Sequence, residues 1–177
     1  MFENFSKLAR ERQACRNYID KKVEQDKLDK IMELALLAPS ACNSQPWKLC
    51  LVSTEEKVNA VRETLQTEEH NKFLDNVSTF IAVIEQNATL RKDVDEKFDN
   101  NRFVKYDVGE LIAYLTLSAK ALGLDTCVIG WMEEENLAKI IGLESNEKCK
   151  LVVAIGYSND PLRKKIRKPK EEKIKII

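Results

Sequence analysis

Tyr106-Asp107-Val108-Gly109-Glu110-Leu111-Ile112-Ala113-Tyr114-Leu115-Thr116-Leu117-Ser118-Ala119-Lys120-Ala121-Leu122-Gly123-Leu124-Asp125-Thr126-Cys127-Val128-Ile129 is the stretch that decides the fold. Val108, Leu111, Ile112, Leu115, Ala119 and Leu122 recur at threes and fours, so a helix over 106–122 has one broad apolar face. Gly123 stands where such a helix needs a left-handed stop. Asp125 to Ile129 then reads as a short buried strand. A helix running directly into a buried strand implies a sheet with helices packed on it.

Working downstream, Glu133 to Ile141 predicts a short helix stopped by Gly142, and Lys150 to Gly156 another buried strand. Upstream, Trp47 to Ser53 and Ser78 to Ile84 read as strands. Between them Ser53-Thr54-Glu55-Glu56 fits a capping box opening a helix whose face is Val58, Val61 and Leu65. Two further helices precede these. One runs through Phe5, Leu8, Ala9 and Arg12, with Asn4 or Ser6 as cap; the other, through Leu28, Ile31, Met32, Ala35 and Leu36, is stopped by Pro39. The loop Pro39-Ser40-Ala41-Cys42-Asn43-Ser44-Gln45-Pro46 carries no charge, and residues 85–104 are polar and irregular, the place for a mobile excursion or lid. Four core strands with intervening helices make a mixed α/β layer. At 177 residues the chain is expected to form a single domain, 1–177.

Hydrophobic residues make up 44% of the chain and charged residues 33%, a globular rather than disordered balance. No run of about 18 apolar residues suggests a membrane span, and the start has no signal-peptide order, so a cytoplasmic protein is expected. Five cysteines are scattered without a C-x-x-C pair and only one histidine, His70, is present, which argues against a metal site and for reduced thiols. Formal charge is zero, yet residues 161–177 carry eight Lys or Arg against two Glu, net +6, leaving −6 on residues 1–160. Such a tail can bind nucleic acid, coat a surface or bring cations to a phosphate. It has no interleaved aromatics, which weighs against nucleic acid. Its end, Lys173-Ile174-Lys175-Ile176, alternates like an edge strand, so it is expected to dock on a sheet, a neighbouring subunit's being one candidate.

There is no G-x-S-x-G elbow, no phosphate-binding P-loop and no G-x-G-x-x-G turn. Five glycines make a backbone cradle for a nucleotide improbable. A phosphate would instead be held by side-chain cations, and two groups offer them: Arg12 with Arg16, which being four apart would project from one face if on a helical turn, and Lys165 with Arg167. Spacing alone leaves a second reading of Arg12 and Arg16 open, that of a solvated helix end.

The residues themselves go further. Arg12-Gln13-Ala14-Cys15-Arg16-Asn17-Tyr18 and Ala38-Pro39-Ser40-Ala41-Cys42-Asn43-Ser44-Gln45-Pro46-Trp47 resemble, in order and separation, the N-terminal signatures of the FMN-dependent nitroreductase superfamily. Asp107-Val108-Gly109, Ala119-Lys120-Ala121-Leu122-Gly123-Leu124 and Thr126-Cys127-Val128-Ile129-Gly130-Trp131 resemble its central helix and flavin-side strand, and Arg167-Lys168-Pro169 its C-terminal phosphate motif. The resemblance runs from about Phe5 to about Ile174 and is weakest over 55–104.

It implies a nitroreductase-like three-layer α+β fold, a central mixed sheet flanked by helices, built as an intertwined homodimer with FMN at the subunit interface. Residues 157–177 would be an extension packing on the partner subunit. Carried over by position, Arg12, Gln13, Ala14 and Arg16 would face the FMN phosphate, ribityl chain or ring edge, joined at the phosphate by Lys165 and Arg167. Pro39, Ser40, Ala41, Asn43 and Gln45 would come from the other subunit to line the ring, and Ile129 and Gly130 would present backbone near N5. The family usually has serine at Ala14 and a basic residue at Gln13. The implied activity passes electrons from NADH or NADPH to a small electron-poor acceptor, a nitroaromatic or quinone, by a ping-pong mechanism with no catalytic side chain. A flavin-binding redox sensor or storage protein without turnover is the alternative. The implied partners are a second copy and a small-molecule substrate, with no nucleic acid and no membrane.

Other residues read more plainly. Trp47 is expected in the core, whereas Trp131 is either core or a shield for the flavin. His70 is expected to be exposed and without function, Cys42 and Cys127 to be apolar filler, and Asp107 with Glu110 to be a solvated or capping pair.

Overall fold

The computed structural model describes the backbone of residues 1–177 and every side chain but that of Asn100. Its elements in chain order are α1 (Phe2–Glu11), α2 (Gln25–Ala35), β1 (Trp47–Val52), α3 (Glu55–Leu65), β2 (Thr79–Glu85), α4 (Lys92–Asp95), α5 (Val104–Ala121), β3 (Asp125–Ile129), α6 (Glu134–Ile141) and β4 (Lys148–Gly156). The strands form one sheet in the order β1-β2-β4-β3.

β2 explains why the molecule has three layers. Phe80 and Ala82 point to one face of the sheet, where they join Val58, Val61 and Leu65 of α3 and Leu137 of α6. Ile81 and Val83 point to the other, joining Ile31 and Ala35 of α2 and Leu111, Leu115 and Ala119 of α5. A strand covered on both faces carries a continuous apolar run rather than an alternation, as Phe80 to Ile84 does. The expected three-layer α+β architecture is therefore present. All three strand pairings are antiparallel, so the expected mixed sheet is an antiparallel one; the parallel contact of Ala14 with Thr126 is an isolated bridge outside the named strands.

Several local expectations change. Asn4 and Ser6 lie inside α1, which begins at Phe2. Thr54 precedes α3 but makes no side-chain cap bond; Glu55 and Glu56 in the first turn complement the helix dipole instead. The tail from Lys173 forms no strand: Ile174 is 53% and Ile176 92% exposed, since no strand of this chain pairs with it. Gly123 (φ 77°) and Gly142 (φ 70°) stop α5 and α6 in the left-handed region, as expected.

Gly156 fixes the path of the segment after α1. A Cβ there would lie 2.9 Å from Tyr18 Cδ1, so the ring can press on the strand only because the side chain is absent. Tyr18 is buried and donates its hydroxyl to the Ala154 carbonyl at 3.2 Å. Residues 12–18 are thereby laid along the β3 edge.

Candidate functional site

The signature residues fall into two groups at the two ends of α5. At the first, the chain leaves α1 at Arg12 in extended conformation (φ −59°, ψ 123°). Ala14 bridges to Thr126, and the Cys15 amide donates to the Thr126 carbonyl at 2.9 Å. The C-terminal segment returns alongside. Asp160 Oδ2 accepts from the Arg16 amide at 2.8 Å, the Arg163 guanidinium donates to the Ala14 carbonyl and the Lys165 ammonium to the Arg12 carbonyl. Residues 160–165 thus clasp their own chain.

Gln13 is spent on the same clasp. Its Nε2 donates to the Pro161 carbonyl and its Oε1 accepts from the Arg163 amide, both at 3.0 Å. With the amide engaged at both ends by the tail, Gln13 keeps one side-chain N–H and its backbone for a ligand. Its neutral side chain therefore fits here where a basic one would not.

The result is a crowd of cations. Lys165 is held below the usual lysine range, first by loss of water around it and then by the positive charges of Arg167, Arg12, Arg163 and Lys120. Arg12 Nε is buried without a hydrogen-bond partner. Buried donors are ordinarily satisfied, and clustered cations ordinarily repel. A dianionic phosphate answers both conditions, offering acceptors to Arg12 and opposite charge to Lys165. Arg163 was missed in the sequence because its role depends on a partner 149 positions away. Nearby, burial pushes the Cys127 thiol up despite Arg16, Arg12 and Arg163, and Cys15 likewise, so neither is a thiolate nucleophile.

The second group is the loop between α2 and β1. Cys42, Asn43 and Gln45 have φ of 54°, 53° and 47°, a left-handed course rarely taken by residues with a side chain. The loop is held there by its own bonds: Ser40 Oγ accepts from the Gln45 amide at 2.9 Å and Asn43 Oδ1 from the Gln45 side chain at 3.1 Å. Ser44 Oγ accepts from the Thr89 amide at 2.7 Å, and Trp47, buried as expected, anchors the exit into β1. Pro39, Asn43 and Gln45 stay exposed while Ser40 and Ala41 are half-buried.

Asp107 holds this loop from below and corrects the reading of it, with Glu110, as a solvated or capping pair. It is 6% exposed, and its Oδ1 accepts from the Ala41 amide at 3.1 Å while Oδ2 has no partner. Its spacing from Val104, Val108 and Leu111 was the available signal, because it puts Asp107 on the buried face of α5. Glu110 is exposed.

At the end of β3, Ile129 is buried in the α3–α6 layer and Gly130 is exposed, so only backbone is on offer there. Among the described residues no hydrogen bond joins the 39–45 loop to residues 12–16 or 165–167. From Asp107 to Lys120 along α5 is roughly 20 Å, and the two groups border opposite edges of the sheet.

Residues 9–157 match the family described as Nitroreductase family. An NADH dehydrogenase of Thermus thermophilus is 26% identical over 172 residues, covering 84% of each chain. An oxygen-insensitive NADPH nitroreductase of Helicobacter acinonychis is 21% identical, covering 97% of this chain and 96% of its own. Among solved structures, one from Exiguobacterium sibiricum in complex with FMN superposes with a TM-score of 0.85 at 22% identity, covering 98% of this chain and 97% of that one.

Proposed function

Since the chain belongs to the nitroreductase family, we propose that it is an FMN-dependent oxidoreductase working as a homodimer. When bound, FMN supplies hydride chemistry, taking two electrons from NADH or NADPH and releasing them to a small electron-poor acceptor such as a nitroaromatic or quinone in a second half-reaction. The protein's task is to bind, orient and exclude water. The observation that carries this reading is the partnerless buried Arg12 Nε beside a lysine crowded by four other cations.

Arg12, Arg16, Lys165 and Arg167 hold the phosphate, with Arg163 added from the geometry. Ala14 offers backbone and a small side chain to the ribityl chain. Pro39, Ser40, Ala41, Asn43 and Gln45 line the ring, and the backbone of Ile129 and Gly130 faces its reactive edge. The separation of the two groups supports a second copy completing each site. So do the exposed apolar side chains of Phe2, Phe5, Leu36, Leu37 and Tyr106, which a single chain leaves uncovered. Residues 166–177, exposed in the single chain, are the part of the tail free to cross to that copy.

No helix among the described residues is long and apolar enough to cross a membrane, and free cysteines suit the reducing cytoplasm. The test is spectroscopic. Protein loaded with FMN should be yellow, bleach anaerobically with NADH or NADPH, and recolour on adding a quinone. Protein that binds FMN yet resists bleaching by both nucleotides would instead be a sensor or storage protein.

A further inference from the structure

His70, expected to be idle, lies flat on Trp131: the ring centroids are 4.0 Å apart and the planes 8° from parallel. The indole is otherwise open, Trp131 being 46% exposed. The turn that presents His70 is built against backbone preference, with Glu68, Glu69 and Asn71 at φ of 50°, 68° and 52°. Left-handed residues with side chains are strained and persist only where surrounding bonds hold them. Here Asn71 Nδ2 donates to the Leu65 carbonyl at 2.8 Å and to the Trp131 carbonyl at 3.4 Å. Gln66 Nε2 donates to Asp75 Oδ1 at 2.8 Å, and the imidazole Nδ1 lies 2.9 Å from the Glu68 carbonyl.

The turn borders the site already described. Trp131 directly follows Gly130 at the end of β3, and the Arg16 guanidinium lies 6.0 Å from the ring of Phe73, on the same segment as His70. We propose that His70 and Trp131 form a gated platform for a planar, electron-poor acceptor. In the resting chain the imidazole caps the indole; an incoming ring displaces it and takes the same face. An indole has an electron-rich face, so an electron-poor ring is a better partner than the imidazole it replaces. The strained turn favours release of the cap. The proposal rests on the FMN reading for the identity of the ligand as an electron acceptor.

Calorimetric titration of the FMN-loaded protein with nitrobenzene, without any nicotinamide, reads the platform apart from turnover. His70→Ala removes the competing cap and should tighten nitrobenzene binding about three- to tenfold, the size of one aromatic pair. Trp131→Ala should weaken it about tenfold, with Trp131→Phe in between. Thermal melts of each variant confirm folding. Opposite signs for His70→Ala and Trp131→Ala support the gate; His70→Ala failing to tighten binding, or Trp131→Ala failing to weaken it, overturns it. Wild-type reduction of ferricyanide by NADH or NADPH, which needs no stacking, tests the proposed function separately. Opposite signs without that turnover would remove the enzyme and keep the platform; turnover without opposite signs would do the reverse.

Discussion

Asp107 Oδ1 and the Ala41 amide, 3.1 Å apart, connect the buried first turns of α5 to a loop whose backbone few residues with side chains adopt. The bond makes α5 a common support, holding the 39–45 loop near one end and Lys120 beside the cation cluster at the other.

Removing that support should loosen the loop. Asp107→Ala leaves the half-buried Ala41 amide without its acceptor and should cost about 1–3 kcal/mol of stability. FMN should dissociate more readily as well. Asp107→Asn keeps an acceptor oxygen and should lose less. Urea denaturation and flavin retention on gel filtration measure the two effects.

Gly156→Ala should act on the opposite group. Its methyl would press on Tyr18 Cδ1 at 2.9 Å, and overpacking of this kind costs about 1–3 kcal/mol. Because Tyr18 steers residues 12–16, FMN affinity should fall together with the melting temperature.

The cation cluster predicts a separation of stability from binding. Lys165 has a folded pKa below its unfolded one, so its charge opposes folding at neutral pH and the opposition fades as pH rises through the lowered value. Lys165→Met removes this repulsion together with the bond to the Arg12 carbonyl, so the melting temperature of the apoprotein should change little, while FMN binding should weaken about tenfold, more at low salt than at high. Differential scanning fluorimetry with and without FMN reads both.

Glu147 predicts the acid limit of stability. Its side chain is almost wholly buried and accepts from Lys48 Nζ at 2.7 Å, Gln86 Nε2 at 3.0 Å and the Glu144 amide at 3.2 Å. The Lys48 bond, then the Glu144 amide, hold its carboxyl below the usual range, and the same bond raises Lys48. The carboxylate's contribution is complete above its unfolded pKa, about 4.3, and is lost as pH falls through the lower folded value. That of Lys48 is complete below about 10.4 and lost as pH rises through its raised value. Glu147→Gln should lower the urea midpoint at pH 7 and flatten its decline below about pH 4.5.

Much of this was readable in the chain. The α5 face, the stops at Gly123 and Gly142 and the strands up to two residues at their ends follow from local periodicity and backbone freedom. The relationships that build the site are not local. Gln13 meets Arg163, and Lys165 meets Arg12, across some 150 residues. The Ser53–Glu56 capping box did not form because the helix begins one residue later, with Thr54 at the cap and Lys57 where the box needs Glu or Gln. The Lys173–Ile176 alternation pairs with no strand of its own chain, because periodicity names a face without supplying an edge; a neighbouring subunit's sheet belongs to the proposed dimer. Asp107 was read as one of a pair with Glu110 from their three-residue spacing, whereas its own helical position faces the core and Glu110's does not.

The phosphate assignment is the centre of the account, and comparing FMN with riboflavin tests it most directly. The two ligands share the ring and ribityl chain and differ by the phosphate. Calorimetry on the apoprotein should show FMN binding about a hundredfold or more tighter than riboflavin, as expected for several charge-assisted bonds. The double variant Arg12→Ala/Arg167→Ala should erase most of that difference. Equal affinity for the two ligands in the wild-type protein would contradict the account.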